Sequence, residues 1–311
     1  MNPPVRVHYE LPALRLGALD YGAPFAGAPD LLLLHGMADL AWSMHPVAER
    51  LRDRWHVRSL DLRGHGESDH PGAYGLLHFV ADLVALVELL DLAADGRRPV
   101  VVGHSLGGQI ASQFAGLYPE LVRALVVAEG IGPPVRLREA NPEERRTTAR
   151  GRVDVLRGAA AHRLLPDVAA AAARLRATHV GLDAATADLL ADHGTRAADH
   201  GTLVWKFDPR TRDWLATFDR EAIEERWGLI RCPVLVVTGA AAWERWWSAQ
   251  SRSAQSEGWV DVDTGEVRRR VGCFADVRHV DIPGAGHMLP YDAPVELADA
   301  VDAFLTERAH G

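Results

Sequence analysis

Apolar and polar positions alternate over residues 5–22, with Val5, Val7 and Tyr9 and then Leu14 and Leu16 on one side. That period predicts an antiparallel hairpin at a sheet edge. Short unbroken apolar runs follow at Leu31–Leu34, Val100–Val102, Ala124–Ala128 and Val234–Val237, and the mixed segments Val57–Leu60 and Val277–Ile282 also read as strands. Runs of this length are too short for helices and predict strands covered on both faces. Helical spacing lies between them, in residues 46–53, in 76–91 (Leu77, Val80, Leu83, Val84, Val87, Leu90), after residue 105 (Ile110, Ala111, Phe114, Ala115) and over Pro294–Phe304. Strand alternating with helix predicts an α/β fold, a mostly parallel twisted sheet with helices on both faces.

The alternation stops at Pro133 and resumes after about Arg226. Between them the chain is Arg- and Ala-rich with helix signals. Asn141-Pro142-Glu143-Glu144 combines an N-cap, a proline at N1 and a capping-box glutamate. Asp167 and Asp183 open two further helices, and His193-Gly194 closes the second. This predicts a helical cap at 133–227 inserted into a core made of 1–132 and 228–311. After the sheet resumes, Trp243, Trp246 and Trp247 fall at helical spacing. Residues 259–271, with Asp263-Thr264-Gly265 as a turn, predict an added hairpin.

The 311 residues allow one large domain with an insertion, and 48% hydrophobic content supplies a substantial core. A net charge of -8 with no basic run argues against a nucleic-acid partner. No apolar stretch reaches membrane-spanning length, and Met1–Arg6 lacks a signal-peptide apolar region, so a cytoplasmic protein without a membrane partner is expected. Cys232 and Cys273 have no CxxC spacing and are expected as reduced thiols. The 15 histidines form no HxH or HExxH pattern, so no metal is expected.

Chemistry concentrates at Gly103-His104-Ser105-Leu106-Gly107, a G-x-S-x-G pattern between a predicted strand and a predicted helix. A serine squeezed there sits on a strained turn with its hydroxyl above the sheet. The next residue's N–H, that of Leu106, then points at any oxyanion formed.

Four blocks together carry a resemblance: Leu34-His35-Gly36, Asp61-Leu62-Arg63-Gly64-His65-Gly66-Glu67-Ser68, the Ser105 pentapeptide with Gly108, and Pro283-Gly284-Ala285-Gly286-His287-Met288-Leu289-Pro290. In order and approximate spacing they resemble the α/β-hydrolase superfamily, and within it the capped serine hydrolases, including serine hydrolase-like proteins. The likeness covers 5–132 and 228–308. It implies a cofactor-free enzyme in which Ser105 is nucleophile, His287 its base, and the backbone N–H groups of Met37 and Leu106 the oxyanion donors.

The third triad member departs from the common pattern. The superfamily usually places an Asp after the glycine that ends the Val234–Thr238 strand, but here Gly239 is followed by three alanines. Glu129 ends the strand after the Ser105 helix, where haloalkane dehalogenase-like and zearalenone lactonase-like relatives recruit their acid. It is the expected acid, unless it pairs with Arg136 or Arg138. Glu244 is the alternative.

Trp42, His104, Trp205, Phe207 and Met288 are candidate pocket residues, with Trp214 a packing residue or part of the same aromatic ceiling. They favour a bulky apolar group in a carboxylic ester or lactone. Thioester cleavage, carbon–carbon hydrolysis, acyl transfer or cyclisation, and a non-catalytic ligand binder stay open. An Asp nucleophile, as in epoxide hydrolases and dehalogenases, is disfavoured by Ser at 105.

Overall fold

The computed structural model describes residues 2–133, 141–158, 164–242 and 264–309. β1 (Val5–Glu10) and β2 (Arg15–Asp20) form the edge hairpin, with Val5 opposite Asp20. β3 (Asp30–Leu34), β4 (His56–Leu60), β5 (Val100–His104) and β6 (Ala124–Ala128) follow, and a separate ribbon of β7 (Thr195–Ala197) and β8 (Leu203–Trp205) precedes β9 (Val234–Gly239) and β10 (Val277–Ile282). The eight-stranded sheet has the order β1-β2-β4-β3-β5-β6-β9-β10, and it is parallel from β4 onward.

The leucine run of β3 shows why a parallel sheet needs unbroken apolar strands. Leu32 and Leu34 enter one core cluster, Leu31 and Leu33 the other, and all four are fully buried. α1 (His45–Leu51) packs with the C-terminal helix Pro294–Ala309 on one face. On the other face α2 (Leu76–Leu89) and α3 (Leu106–Leu117) pack together.

The inserted segment contributes α4 (Pro142–Leu156), α5 (Val168–Thr178), α6 (Ala184–Gly194) and α7 (Arg220–Trp227). Local signals fix their starts. Asn141 accepts from the Glu143 and Glu144 N–H groups while the Glu144 carboxylate accepts from Asn141 N–H, a full capping box. Asp167 caps α5 through Ala170, and Asp183 caps α6 through Thr186. α5 and α6 pack small residues, Ala171, Ala172, Ala187 and Ala191, into a third cluster with Leu40 and Tyr291 from the core loops. α7 packs on α3 of the core, where Trp227 Nε1 donates to Ser112 Oγ at 2.9 Å.

Residues 264–271 correct an expectation. They form the helix Thr264–Val271 rather than the arm of a hairpin. Val267, Arg270 and Val271 recur at helical spacing and are buried, and Arg270 donates to the Ile131 and Pro133 carbonyls at 2.9 Å. Burial on a 3.6-residue period outweighs the turn signal at Asp263-Thr264-Gly265. The remainder of the expected hairpin, Trp243, Trp246 and Trp247 lie outside the described residues. Among the described residues no helix is long and apolar enough to cross a membrane.

Candidate active site

Because β4, β3, β5, β6, β9 and β10 are parallel, the loops after β3, β5, β6, β9 and β10 meet at one sheet edge, the usual site of chemistry in open α/β sheets. Ser105 stands at the β5–α3 turn with φ 51° and ψ −113°. Its neighbours must be glycine: a Cβ on Gly103 would strike the Gly107 carbonyl, and one on Gly107 the Leu34 carbonyl. A non-glycine residue in such a conformation costs about 1–3 kcal/mol and persists only where its surroundings dictate it. Here Ser105 N–H donates to Ala128 O at 2.9 Å, Gly107 N–H to His35 O at 3.1 Å, and Gln109 N–H to Ser105 O at 3.1 Å. Among the described residues six non-glycine positions have positive φ, and three of them, Ala38, Ser105 and Glu129, lie in these loops. Strain is thus concentrated at the site.

The structure brings Ser105, His287 and Glu129 together. His287 Nε2 is 3.0 Å from Ser105 Oγ, and His287 Nδ1 is 3.0 Å from Glu129 Oε2. The carboxylate can only accept from Nδ1–H, which leaves the Nε2 lone pair for the serine proton. Glu129 Oε1 accepts from Gly239 N–H at 2.7 Å. The glycine that would precede an acid in the common pattern here holds the substitute acid by its backbone. Burial pushes His287 down to about 4, so the imidazole is neutral at pH 7. Burial pushes the Glu129 carboxyl up, opposed by the Gly239 N–H. Arg136, Arg138 and Glu244 lie outside the described residues.

Neither Met37 N–H nor Leu106 N–H has a hydrogen-bond acceptor among the described residues, as a pair of oxyanion donors requires. The loop bearing Met37 is braced from below by groups of the Leu34–Gly36 and Asp61–Ser68 blocks, a stretch that reads in the sequence as a packed loop carrying structural polar contacts. His65 accepts from Ala38 N–H at 3.1 Å and donates to Arg63 O at 2.9 Å. His35 accepts from Leu62 N–H at 3.0 Å and donates to Gly36 O at 2.7 Å. Asp61 accepts from Ala41 N–H at 2.7 Å. Burial lowers His35 to about 4 and His65 to about 3, so both act as neutral donor–acceptor braces. Arg63 in turn grips Asp82 with two 2.6 Å bonds, both side chains nearly fully buried. His104 donates from Nε2 to His287 O at 2.8 Å and so anchors the loop carrying the base.

A cavity of about 540 Å³ opens over Ser105 and His287, within the range of small-molecule sites. Of the expected pocket residues, His104, Trp205, Phe207 and Met288 line it, as does Met37. Trp42 does not. It sits in the 3-10 turn Ala41–Met44 and stacks on His193 at 4.3 Å between ring centroids, facing the end of α6 instead. Trp214 packs in the core and meets Phe218 edge-on.

Sequence reasoning missed Asp39, Arg174, Arg212 and Tyr291 in the lining. Asp39 carried a local signal, a carboxylate two residues beyond the candidate oxyanion donor. The arginines carried none, because only the packing of α5 and the 3-10 segment Pro209–Thr217 brings them to the cavity. The inserted segment is tied to the core by Lys206–Glu67 at 2.5 Å, by Tyr74 Oη to Asp208 Oδ2 at 2.7 Å and by Asp208 N–H to Gly64 O at 2.7 Å. Arg210 and burial act oppositely on Asp208, and its hydrogen bonds hold it at about 2. Among the described residues no group of three or more His, Cys, Asp or Glu side chains is arranged to hold a metal ion.

Residues 31–300 match the family model described as "Alpha/beta hydrolase family". A serine hydrolase-like protein of Danio rerio is 36% identical over 112 residues, 35% of this chain and 33% of the relative. Epoxide hydrolase 4 of Mus musculus is 35% identical over 112 residues, 35% of this chain and 30% of the relative. The chain thus matches about a third of the length of these curated relatives. Among solved structures, a thioesterase domain from the curacin biosynthetic pathway superposes with a TM-score of 0.79, covering 97% of this chain and 100% of that domain. At 23% identity that likeness speaks to the fold alone.

Proposed function

Because the chain belongs to the alpha/beta hydrolase family, we propose that it is a cofactor-free serine hydrolase of carboxylic esters or lactones carrying a bulky apolar group. In this reading residues 133–227 form the cap and supply the cavity's ceiling. The observation that carries the proposal is the unbroken relay of 3.0 Å contacts from Ser105 Oγ through the imidazole to Glu129.

Ser105 Oγ attacks the substrate carbonyl while its proton passes to His287 Nε2. The Met37 and Leu106 N–H groups receive the oxyanion, and Glu129 stabilises the imidazolium and holds its tautomer. Collapse breaks the carbonyl–alkoxide bond, and the imidazolium returns its proton to the leaving alcohol. Water, deprotonated by the same imidazole, then attacks the acyl-Ser105 ester and releases the acid. The epoxide hydrolase likeness does not extend to this step, since its usual nucleophile is Asp and position 105 is Ser. The reading places the enzyme in the cytoplasm, with Cys232 and Cys273 as reduced thiols that take no part in the chemistry.

A fluorophosphonate probe tests the reading. We expect a covalent adduct on the Ser105 peptide by mass spectrometry, none in Ser105→Ala, and faster turnover of bulky aromatic esters than of acetates. An unlabelled wild-type protein overturns the enzymatic reading. A clear preference for acetates overturns the assignment of substrate size.

A further inference from the structure

The cavity is not electrically uniform. Its lining beyond the reacting groups is largely apolar, with Leu175, Leu190, Trp205, Phe207 and Met288 prominent. Its one carboxylate among the described residues is Asp39, which is buried on the loop beside Ser105 and raised to about 7. Three cationic side chains also line it, all from the inserted segment: Arg174 on α5, Lys206 after β8, and Arg212 in the Pro209–Thr217 turn segment.

These three differ in occupancy. Lys206 is engaged by Glu67 at 2.5 Å. Arg152 and Arg210, cations of the same segment that do not line the cavity, are engaged by Asp213 and Asp208. Arg174 and Arg212 are exposed, border the cavity, and have no carboxylate or other side-chain acceptor among the described residues. Two exposed guanidiniums with no side-chain partner among the described residues border one apolar cavity of a protein whose net charge is -8. An anion approaching this chain meets overall repulsion, so local cations at the cavity are the feature that would admit it. Guanidinium is also the group best shaped to grip a carboxylate or phosphate by two parallel hydrogen bonds.

We propose that Arg174 and Arg212 form an anion-recognition pair at the cavity's outer rim. They select esters whose apolar body ends, away from the scissile bond, in a carboxylate or another anionic group. This deepens the serine-hydrolase reading and rests on it for the chemistry. Asp39, buried in the same lining on the loop that follows β3, disfavours placing the anionic end beside it. A contact to the substrate's far end, away from the bond that breaks, is made equally in ground and transition states. It therefore acts on KM rather than kcat.

The test compares the mono-4-nitrophenyl ester of suberic acid, anionic at its far end, with 4-nitrophenyl octanoate, matched in chain length. In the wild type we expect the anionic ester to be favoured roughly tenfold in kcat/KM, through KM, with the preference shrinking at high salt. Arg174→Gln/Arg212→Gln should bring the ratio near one, and the corresponding Lys variants should restore part of it. Arg176→Gln, on α5 but outside the cavity, should leave the ratio unchanged. A wild-type ratio near one, or a ratio the double variant does not move, overturns the proposal. The serine-hydrolase reading fails separately, by absence of turnover and of fluorophosphonate labelling. Binding to Ser105→Ala, followed by tryptophan fluorescence, reads the rim without chemistry: tighter binding of the anionic ester supports it, and equal or weaker binding overturns it.

Discussion

The floor and the ceiling of the cavity are built on different principles. The floor is a set of strand ends whose polar groups are locked to one another over long sequence distances: Glu129 to Gly239, His104 to His287, Asp61 to Ala41. It stores backbone strain at Ala38, Ser105 and Glu129 and keeps its histidines neutral by burial. The ceiling is assembled from short helices, each started by its own Asn or Asp cap. Its small third cluster is composed largely of alanines and leucines. The floor therefore specifies chemistry with little tolerance, and the ceiling specifies what is admitted with considerable freedom.

The largest expected effect lies in the floor. Glu129→Gln keeps the side chain's shape and its contact with Gly239 but no longer enforces the Nδ1–H tautomer. We expect kcat on an aromatic ester to fall about 10³–10⁴-fold, with the melting temperature little changed. Near-normal turnover would break the comparison by moving the acid to Glu244 and leaving Glu129 a structural group.

A second effect separates the two layers by pH. His35, His65, His104 and His287 are lowered to between about 3 and 4, below the ordinary value near 6.5. A group depressed on folding in this way gives up stability as pH falls from its unfolded value toward its folded one. The unfolded chain takes up those protons first. Asp39, raised to about 7, and Glu129, also raised, act in the opposite sense in the same window, but they are two against four. The melting temperature should drop by roughly 5 °C between pH 7 and pH 5. Amide protection factors in that window, corrected for the intrinsic pH dependence of exchange, should fall in the strands that carry these four histidine-bearing loops. A flat melting curve over this range contradicts the account of the floor.

The smallest effect sharpens the comparison from the other side. Asp183→Ala removes the cap of α6 and should cost about 1 kcal/mol. If the ceiling is an independent layer, exchange rises locally over Ala184–Gly194 while kcat holds. A global loss of stability of the same size would mean that ceiling and floor unfold as one unit.

The sequence made legible whatever is written locally. Ser105 was readable because a strand, two obligatory glycines and a helix surround it. Glu129 was readable because its strand neighbours the nucleophile's and the usual position after Gly239 is filled by alanine. The helix starts at Asn141, Asp167 and Asp183 follow the same logic. What escaped depends on which surface a side chain meets after folding. The turn signal at 263–265 concealed a helix whose Val267, Arg270 and Val271 are recruited by the core. Trp42 carries the composition of a pocket wall yet stacks on His193. Arg174 and Arg212 are 38 positions apart and meet only the cavity in common.

Glu129 hangs from β6, so among the described residues the connector that follows β9 gives the relay one peptide N–H, at Gly239, and no side chain. That connector is relieved of the residue which elsewhere forbids tampering with it. Natural drift or an engineer can exchange Ala240 and Ala241 for other small residues without removing a member of the relay, whereas Val267, Arg270 and Val271 further on are committed to the core.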